Sequence, residues 1–178
     1  VNNTIINGST ANPAARWCVN ITDASTGNTL FNNILLNYHS FRGSLIISAD
    51  SRPGFTSDHN VMMDRIDADG DGPGPVLTLA QWRAASGQDT HSFVVPAGSW
   101  STLFTDLAGA DYTLGETSPA IDAGTPSLAG HAAPPADRAG NPRPAGAAFD
   151  IGAYERAAGG GEECPADFNG DGTTNSTD

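Results

Sequence analysis

The chain has 178 residues, with 20 acidic and 8 basic side chains and a formal net charge of −12. This excess of negative charge argues against a nucleic-acid partner, which needs clustered Lys and Arg, and against an anionic membrane surface. All basic residues are Arg, which excludes lysine Schiff-base chemistry and a P-loop lysine. No apolar run reaches the roughly 18 residues of a spanning helix, so no membrane span is expected.

Short apolar runs that begin with paired asparagines or a related pair recur in the first third of the chain. The run 2–7 (NNTIIN) returns as 32–37 (NNILLN) and, more faintly, as 58–63 (DHNVMM), at intervals of 30 and 27 residues. A period of this length is typical of a β-solenoid, in which coils stack about 4.8 Å apart and share one core. Asparagines at the same turn of successive coils are then expected to bond their neighbours' amide groups as a ladder.

A second series, 17–21 and 44–48, is interleaved with the first and places Cys18 and Leu45 27 residues apart. Two interleaved series with one period favour the solenoid. The alternative is an ordinary β-sandwich with coincidental Asn-Asn turns, but its turns would recur every 8–12 residues or so without this long-range repeat.

One short helix is predicted over residues 79–86. Thr78 stands at its N-cap, Gln81 completes a capping box, and a Gly follows at the C′ position. Leu79 and Trp82 share one face, which we expect to pack on the solenoid.

The chain beyond the helix is predicted to be extended. Three short runs are expected as strands, at 92–95, 102–104 and 111–114. A Pro-rich wrap then leads to a final strand, DIGAYE, where Phe149, Ile151 and Ala153 alternate onto one face. A Gly-rich linker precedes a new unit. The predicted organisation is β-solenoid coils with the helix in 1–113, the wrap in 114–156, the linker in 157–163 and a calcium loop in 164–178.

Three segments carry a resemblance to a known family: LAQWRAASGQDTHSF at 79–93, DYTLGETSPAIDAGT at 111–125 and DIGAYE at 150–155. They resemble the C-terminal end of bacterial right-handed parallel β-helix proteins of the pectate-lyase-like superfamily. The resemblance implies an all-β fold made of the last coils of a parallel β-helix, a capping helix near 79–86 and an extended wrap. It also implies that the residues near the helix close the solenoid end: Trp82, Arg83, Asp89 and His91.

The resemblance implies a secreted, polysaccharide-active parent of the lyase or glycoside hydrolase type. Because the chain begins with Val and ends inside a motif, we expect a piece of a longer protein, with most catalytic coils upstream. Two alternatives stay open. One is a non-catalytic, surface-anchored adhesin or glycan-binding β-helix. The other is an anchoring tail whose activity is calcium-dependent protein binding.

The segment 164–178 (CPADFNGDGTTNSTD) resembles the start of a dockerin, a calcium module that binds cohesin-like proteins. The loop's spacing fits the alternating oxygens that calcium prefers. Its predicted ligands are Asp167, Asn169, Asp171, the Thr173 carbonyl, Asn175 and Asp178. The alternative is a disordered acidic tail. The loop implies calcium as cofactor, a cohesin-like partner, and a secreted protein that is extracellular or anchored at a cell surface.

A second acidic set lies in the segment 64–77, which has no period and is predicted to be loop. Asp67, Asp69 and Asp71 repeat positions 1, 3 and 5 of a calcium loop. Thr78 at position 12 supplies no carboxylate, so a solvated acidic loop is the favoured interpretation.

Catalytic candidates are sought in the turns around the strongest coils, because glycosidases and lyases use carboxylates and basic groups. The residues are Tyr38, His39, Arg42, Arg52, Asp58 and His59. None has a diagnostic spacing, and the alternative is that they are ordinary turn residues. Cys18 is expected to pack as a small hydrophobe and not to bond to Cys164.

Overall fold

A computed structural model describes residues 1–8, 16–70 and 74–157. The described chain is an all-β protein with mostly parallel sheets, as the sequence predicts, and it contains one α-helix and two short 3-10 helices. None of its helices is long and apolar enough to cross a bilayer.

Nine strands form three parallel sheets. The first sheet contains β1 (Thr4–Asn7), β4 (Ile34–Asn37), β7 (Val61–Met62) and β9 (Phe93–Val94). The second contains β2 (Val19–Ile21), β5 (Leu45–Ile47) and β8 (Ile66–Asp67). The third contains β3 (Thr29–Phe31) and β6 (Thr56–Asp58). From β1 to β8, every third strand along the chain therefore returns to the same sheet.

The register of the first sheet follows the repeat that the sequence shows. Thr4 pairs with Ile34, Ile34 with Val61, and Val61 with Phe93. In the second sheet, Val19 pairs with Leu45. The pairing of Cys18 with Leu45 is therefore wrong by one residue, because the repeat is 26 residues long there.

The predicted asparagine ladder is confirmed. The amide of Asn3 donates to Asn33 Oδ1 (3.0 Å), that of Asn33 to Asn60 Oδ1 (3.0 Å), and that of Asn60 to Ser92 Oγ (2.8 Å). Asn33 and Asn60 are fully buried, and their side-chain amides satisfy backbone carbonyls at the turn. Buried polar groups are stable only when paired in this way.

Side chains of the first sheet alternate between two apolar clusters, because successive residues of a strand point to opposite faces. Leu35 and Met62 join the inner cluster, which the three parallel sheets enclose. Ile34, Leu36 and Val61 face the opposite way, where the chain after β9 covers them.

The helix α1 (Leu79–Ser86) begins and ends as predicted. The Gln81 amide donates to Thr78 Oγ1 (3.2 Å), the Thr78 amide donates to Gln81 Oε1 (2.9 Å), and Gly87 has a φ of 71°. Leu79 and Trp82 are buried in the inner cluster.

Two predictions of secondary structure are wrong. The segment predicted to be loop contains β8, because fully buried Ile66 continues the inner cluster. The segment 149–155 is not a strand, and three successive residues, Asp150, Ile151 and Gly152, are buried in it. Gly152 has a φ of 110°, and a Cβ there would lie 2.8 Å from the Ile34 side chain, so a regular strand cannot form.

The wrap has little regular structure. A 3-10 helix (Ala97–Leu103) replaces the start of the strand predicted at 102–104, and β10 (Phe104–Asp106) follows it. β10 pairs in antiparallel fashion with β11 (Asp111–Leu114). A last antiparallel pair is β12 (Ser127–Leu128) with β13 (His131–Ala132).

A buried ion pair ties the end of the wrap together. Arg143 donates to Glu155, and both side chains are almost fully buried. Glu155 Oε1 also accepts from the Asp150 amide (2.9 Å), and Asp150 accepts from the amides of Asp122 (2.7 Å) and Arg156 (2.6 Å). Burial raises the pKa of Asp150 to about 6; these two amides oppose the shift, and neighbouring carboxylates add to it. DIGAYE thus serves as a polar clasp.

Candidate functional site

Four residues stand in register at the corner between the third and first sheets. Each precedes a residue of the ladder, and they are Asn2, Asn32, His59 and His91, here called the corner column. The first three have φ values of 53°, 55° and 54°. Asn and His are among the residues that most readily adopt this left-handed conformation.

The two asparagines of the corner column hold the wrap. Asn32 Nδ2 donates to the Thr125 carbonyl (2.7 Å), and the Thr125 amide donates to Asn32 Oδ1 (2.9 Å). Asn2 Nδ2 donates to the Asp150 carbonyl (3.2 Å). The lower half of the column is therefore structural.

The two histidines of the column are stacked, with ring centroids 4.8 Å apart and planes inclined by 14°. His59 Nδ1 lies 2.9 Å from the Ala123 carbonyl, and His91 Nδ1 lies 2.7 Å from Asp58 Oδ2. A carbonyl and an ionised carboxylate only accept hydrogen bonds, so each Nδ1 carries a proton. When neutral, both rings therefore offer a lone pair at Nε2.

Asp58 fixes this arrangement. Its Oδ1 accepts from the His59 amide (2.9 Å) and the His91 amide (2.6 Å), while Oδ2 takes the His91 ring. Burial opposes ionisation of this carboxyl, but these hydrogen bonds outweigh it and hold the pKa of Asp58 below its ordinary value. The carboxylate is about 15% exposed, whereas the His91 side chain is 64% exposed.

Asp58, His59 and His91 could hold a metal ion. One ligand atom from each lies within 4.8 Å of the others. A histidine that ligates a metal usually donates its other ring N–H to a carboxylate or a backbone carbonyl. Both histidines here have such a partner.

Of the four catalytic candidates, the structure brings Asp58 and His59 together and places the arginines elsewhere. The Arg52 guanidinium donates to the Ala68 carbonyl. The Arg42 guanidinium lies 5.4 Å from the centre of the Phe41 ring. Both arginines thus bind local groups around their own turns.

The other two candidates, Tyr38 and His39, line an open cleft of about 300 Å³ at the far end of the first sheet. Tyr38 is 41% exposed and packs edge-on against Trp100, with centroids 4.9 Å apart. Arg65 also lines the cleft and donates to the His39 carbonyl (3.2 Å). The cleft therefore combines an accessible aromatic ring with a cation.

The second acidic set does not form an open loop throughout. Asp67 lies in β8 and is 4% exposed, and its Oδ1 accepts from the Asp69 amide (2.8 Å). Asp69 Oδ2 accepts from the Gly74 amide (2.9 Å). Asp71 lies outside the described residues, so calcium binding there stays a prediction.

The calcium loop predicted at 164–178, with ligands Asp167 to Asp178 and the neighbouring Cys164, lies outside the described residues. Cys18 is half-buried, and its thiol donates to the Leu36 carbonyl (3.1 Å). Burial raises the pKa of this thiol to about 12, which agrees with packing as a small hydrophobe.

Sequence reasoning assigned His91 a structural role at the solenoid end and missed its contact with Asp58 and His59. The signal was present in the repeat. Ser92 and Phe93 follow His91 as Asn60 and Val61 follow His59, and the ladder bond spans these 32 residues. The polar character of Ser hides the equivalence.

Comparison of the chain with protein-family models, with curated proteins and with solved structures found no significant match. The functional argument therefore depends on the residues of this chain and their geometry.

Proposed function

We propose that residues 1–156 are the last coils and the C-terminal cap of a right-handed parallel β-helix in a secreted protein that acts on polysaccharide. The observation that carries the proposal is the in-register stack of three parallel sheets, in which every third strand returns to the same sheet. One ladder of buried side chains links the successive turns. Stacked coils of this kind share one core.

The helix and the wrap fit the role of a cap. An open solenoid end exposes apolar core and free strand edges, which invite aggregation. In this chain, Leu79 and Trp82 of α1 enter the inner cluster. The wrap covers the outer face of the first sheet over Ile34, Leu36 and Val61.

The cap also directs where a glycan could bind. Because the wrap covers the outer face of the first sheet, that face is closed to a substrate. The cleft at Tyr38 is open, and an exposed aromatic ring beside Arg65 suits a sugar ring and its polar substituents. We assign polysaccharide contact to this cleft, and catalysis to coils other than those described.

A second candidate function, a surface-anchored glycan-binding β-helix without catalysis, is favoured by the separate placement of the arginines. Arg42 and Arg52 bind Phe41 and Ala68 rather than Asp58 or His59. In both candidates, the calcium loop at 164–178 anchors the protein through a cohesin-like partner.

The test is polysaccharide binding and product release by the full chain in calcium, with Tyr38→Ala and Tyr38→Phe as matched variants. We expect binding to at least one polysaccharide of a chemically diverse panel, loss with Tyr38→Ala, and retention with Tyr38→Phe, which keeps the ring against Trp100. Release of cleaved products would favour the enzyme, and binding alone the second candidate. Equal binding by the Ala variant would refute the assignment of the cleft.

A further inference from the structure

The upper half of the corner column has a chemistry that neither the cap nor the cleft requires. Two imidazole rings are held in parallel at a solvent-facing corner, each with Nδ1 occupied by an acceptor. Imidazole nitrogen is a preferred ligand of zinc and related divalent transition metals. We propose that His59 and His91 form a binding site for such an ion through their Nε2 atoms, with Asp58 as the positioning residue.

The acceptors around the rings support this assignment. The Ala123 carbonyl and Asp58 Oδ2 set the proton of each ring on Nδ1 and raise the electron density at the opposite nitrogen. Asp58 is itself held by the two histidine amides, so the carboxylate does not move freely. The site is therefore oriented before a metal arrives.

The distances allow a metal with a small adjustment. Zinc binds imidazole nitrogen at about 2.0–2.1 Å, so two ligating nitrogens lie at most about 4.2 Å apart. The ligand atoms of the cluster lie within 4.8 Å of one another. His91 is 64% exposed and can close the remaining gap, and its exposure also provides an entry path. Two protein ligands leave positions for water in a tetrahedral site.

The ion would tie together three segments of the chain. His59 ends the turn after β6 and holds the wrap at Ala123, while His91 follows the helix. The negative net charge of the protein favours the approach of a cation. We therefore expect metal binding to stabilise the cap.

The experiment is a zinc titration of the full chain by calorimetry, in excess calcium so that carboxylate sites are filled. The variants are His59→Asn and His91→Asn, because Asn already stands at the two equivalent corner positions. His131→Asn, at an exposed position in β13, is the matched control. We expect one zinc site that each test variant weakens at least about tenfold and that the control leaves unchanged.

A second readout separates metal binding from a merely structural role. Zinc should shift the imidazole ¹⁵N resonances of His59 and His91, leave those of His39 and His131 in place, and raise the thermal midpoint of the wild-type chain but not of His91→Asn. Unchanged zinc affinity in His91→Asn, no zinc binding, or unperturbed rings at 59 and 91 would overturn the proposal. The outcome is independent of polysaccharide binding, so this site and the cleft can fail separately.

Discussion

Removing the centre of the asparagine ladder should cost much more than removing its end. Asn60 is fully buried, and its Oδ1 accepts from the backbone amide (3.0 Å) and the side-chain amide (2.9 Å) of Asn33. Its Nδ2 donates to the Leu30 carbonyl (3.1 Å). In Asn60→Ala, these groups would be buried without this partner.

The magnitude follows from the number of orphaned groups. A buried polar group that loses its partner costs about 1–3 kcal/mol, so two to three such groups lower the free energy of unfolding by about 3–5 kcal/mol. That is a large share of the roughly 5–15 kcal/mol that stabilises a domain. Asn3→Ala is the matched control, because Asn3 is exposed at the ladder's end and its loss should cost under about 1 kcal/mol.

The assay is urea unfolding of the two variants and the wild-type chain, followed by tryptophan fluorescence and circular dichroism. A midpoint shift at unchanged slope reports stability. If the two substitutions cost the same within about 1 kcal/mol, the ladder does not stabilise the coils as described.

Three further predictions concern buried groups. The raised pKa of Asp150, about 6, means that stability is greatest below pH ~4 and falls by up to about 3 kcal/mol towards pH ~6 and above; Asp150→Asn should lack this component, and parallel pH profiles in urea unfolding would contradict it. Because burial raises the pKa of Cys18 to about 12, its thiol in a Cys164→Ser chain should react with a thiol reagent only on unfolding; fast labelling of the native chain would refute this. Trp82→Phe removes the indole donor of the fully buried Asp89 carboxylate (2.8 Å) and should cost about 2–3 kcal/mol in urea unfolding, whereas a neutral result would mean that water replaces the donor.

The parts of the fold that the sequence predicts are those where local chemistry repeats. Paired asparagines before apolar runs identify β1, β4 and β7, because the ladder needs the same side chain at each turn. The helix is predictable from Thr78 and Gln81, since the capping box is a local motif. Both signals depend on neighbours in sequence.

Other parts depend on packing that the sequence hides. β3 and β6 pair Leu30 with Ser57, and no pattern of apolar residues connects the two. β8 contains buried Asp67, which reads as loop because acidic residues surround it. His91 joins Asp58 and His59 only because the first sheet gains a fourth strand after the helix. These features are set by tertiary contacts.

The central claim is the in-register parallel stack, and backbone NMR of the full chain tests it most directly. The pairing of Ile34 with Val61 and of Val61 with Phe93 predicts amide-to-Hα cross-peaks between these strands without close Hα–Hα contacts. Close Hα–Hα contacts between the same strands would show antiparallel pairing and would contradict the stacked coils, the corner column and the cap together.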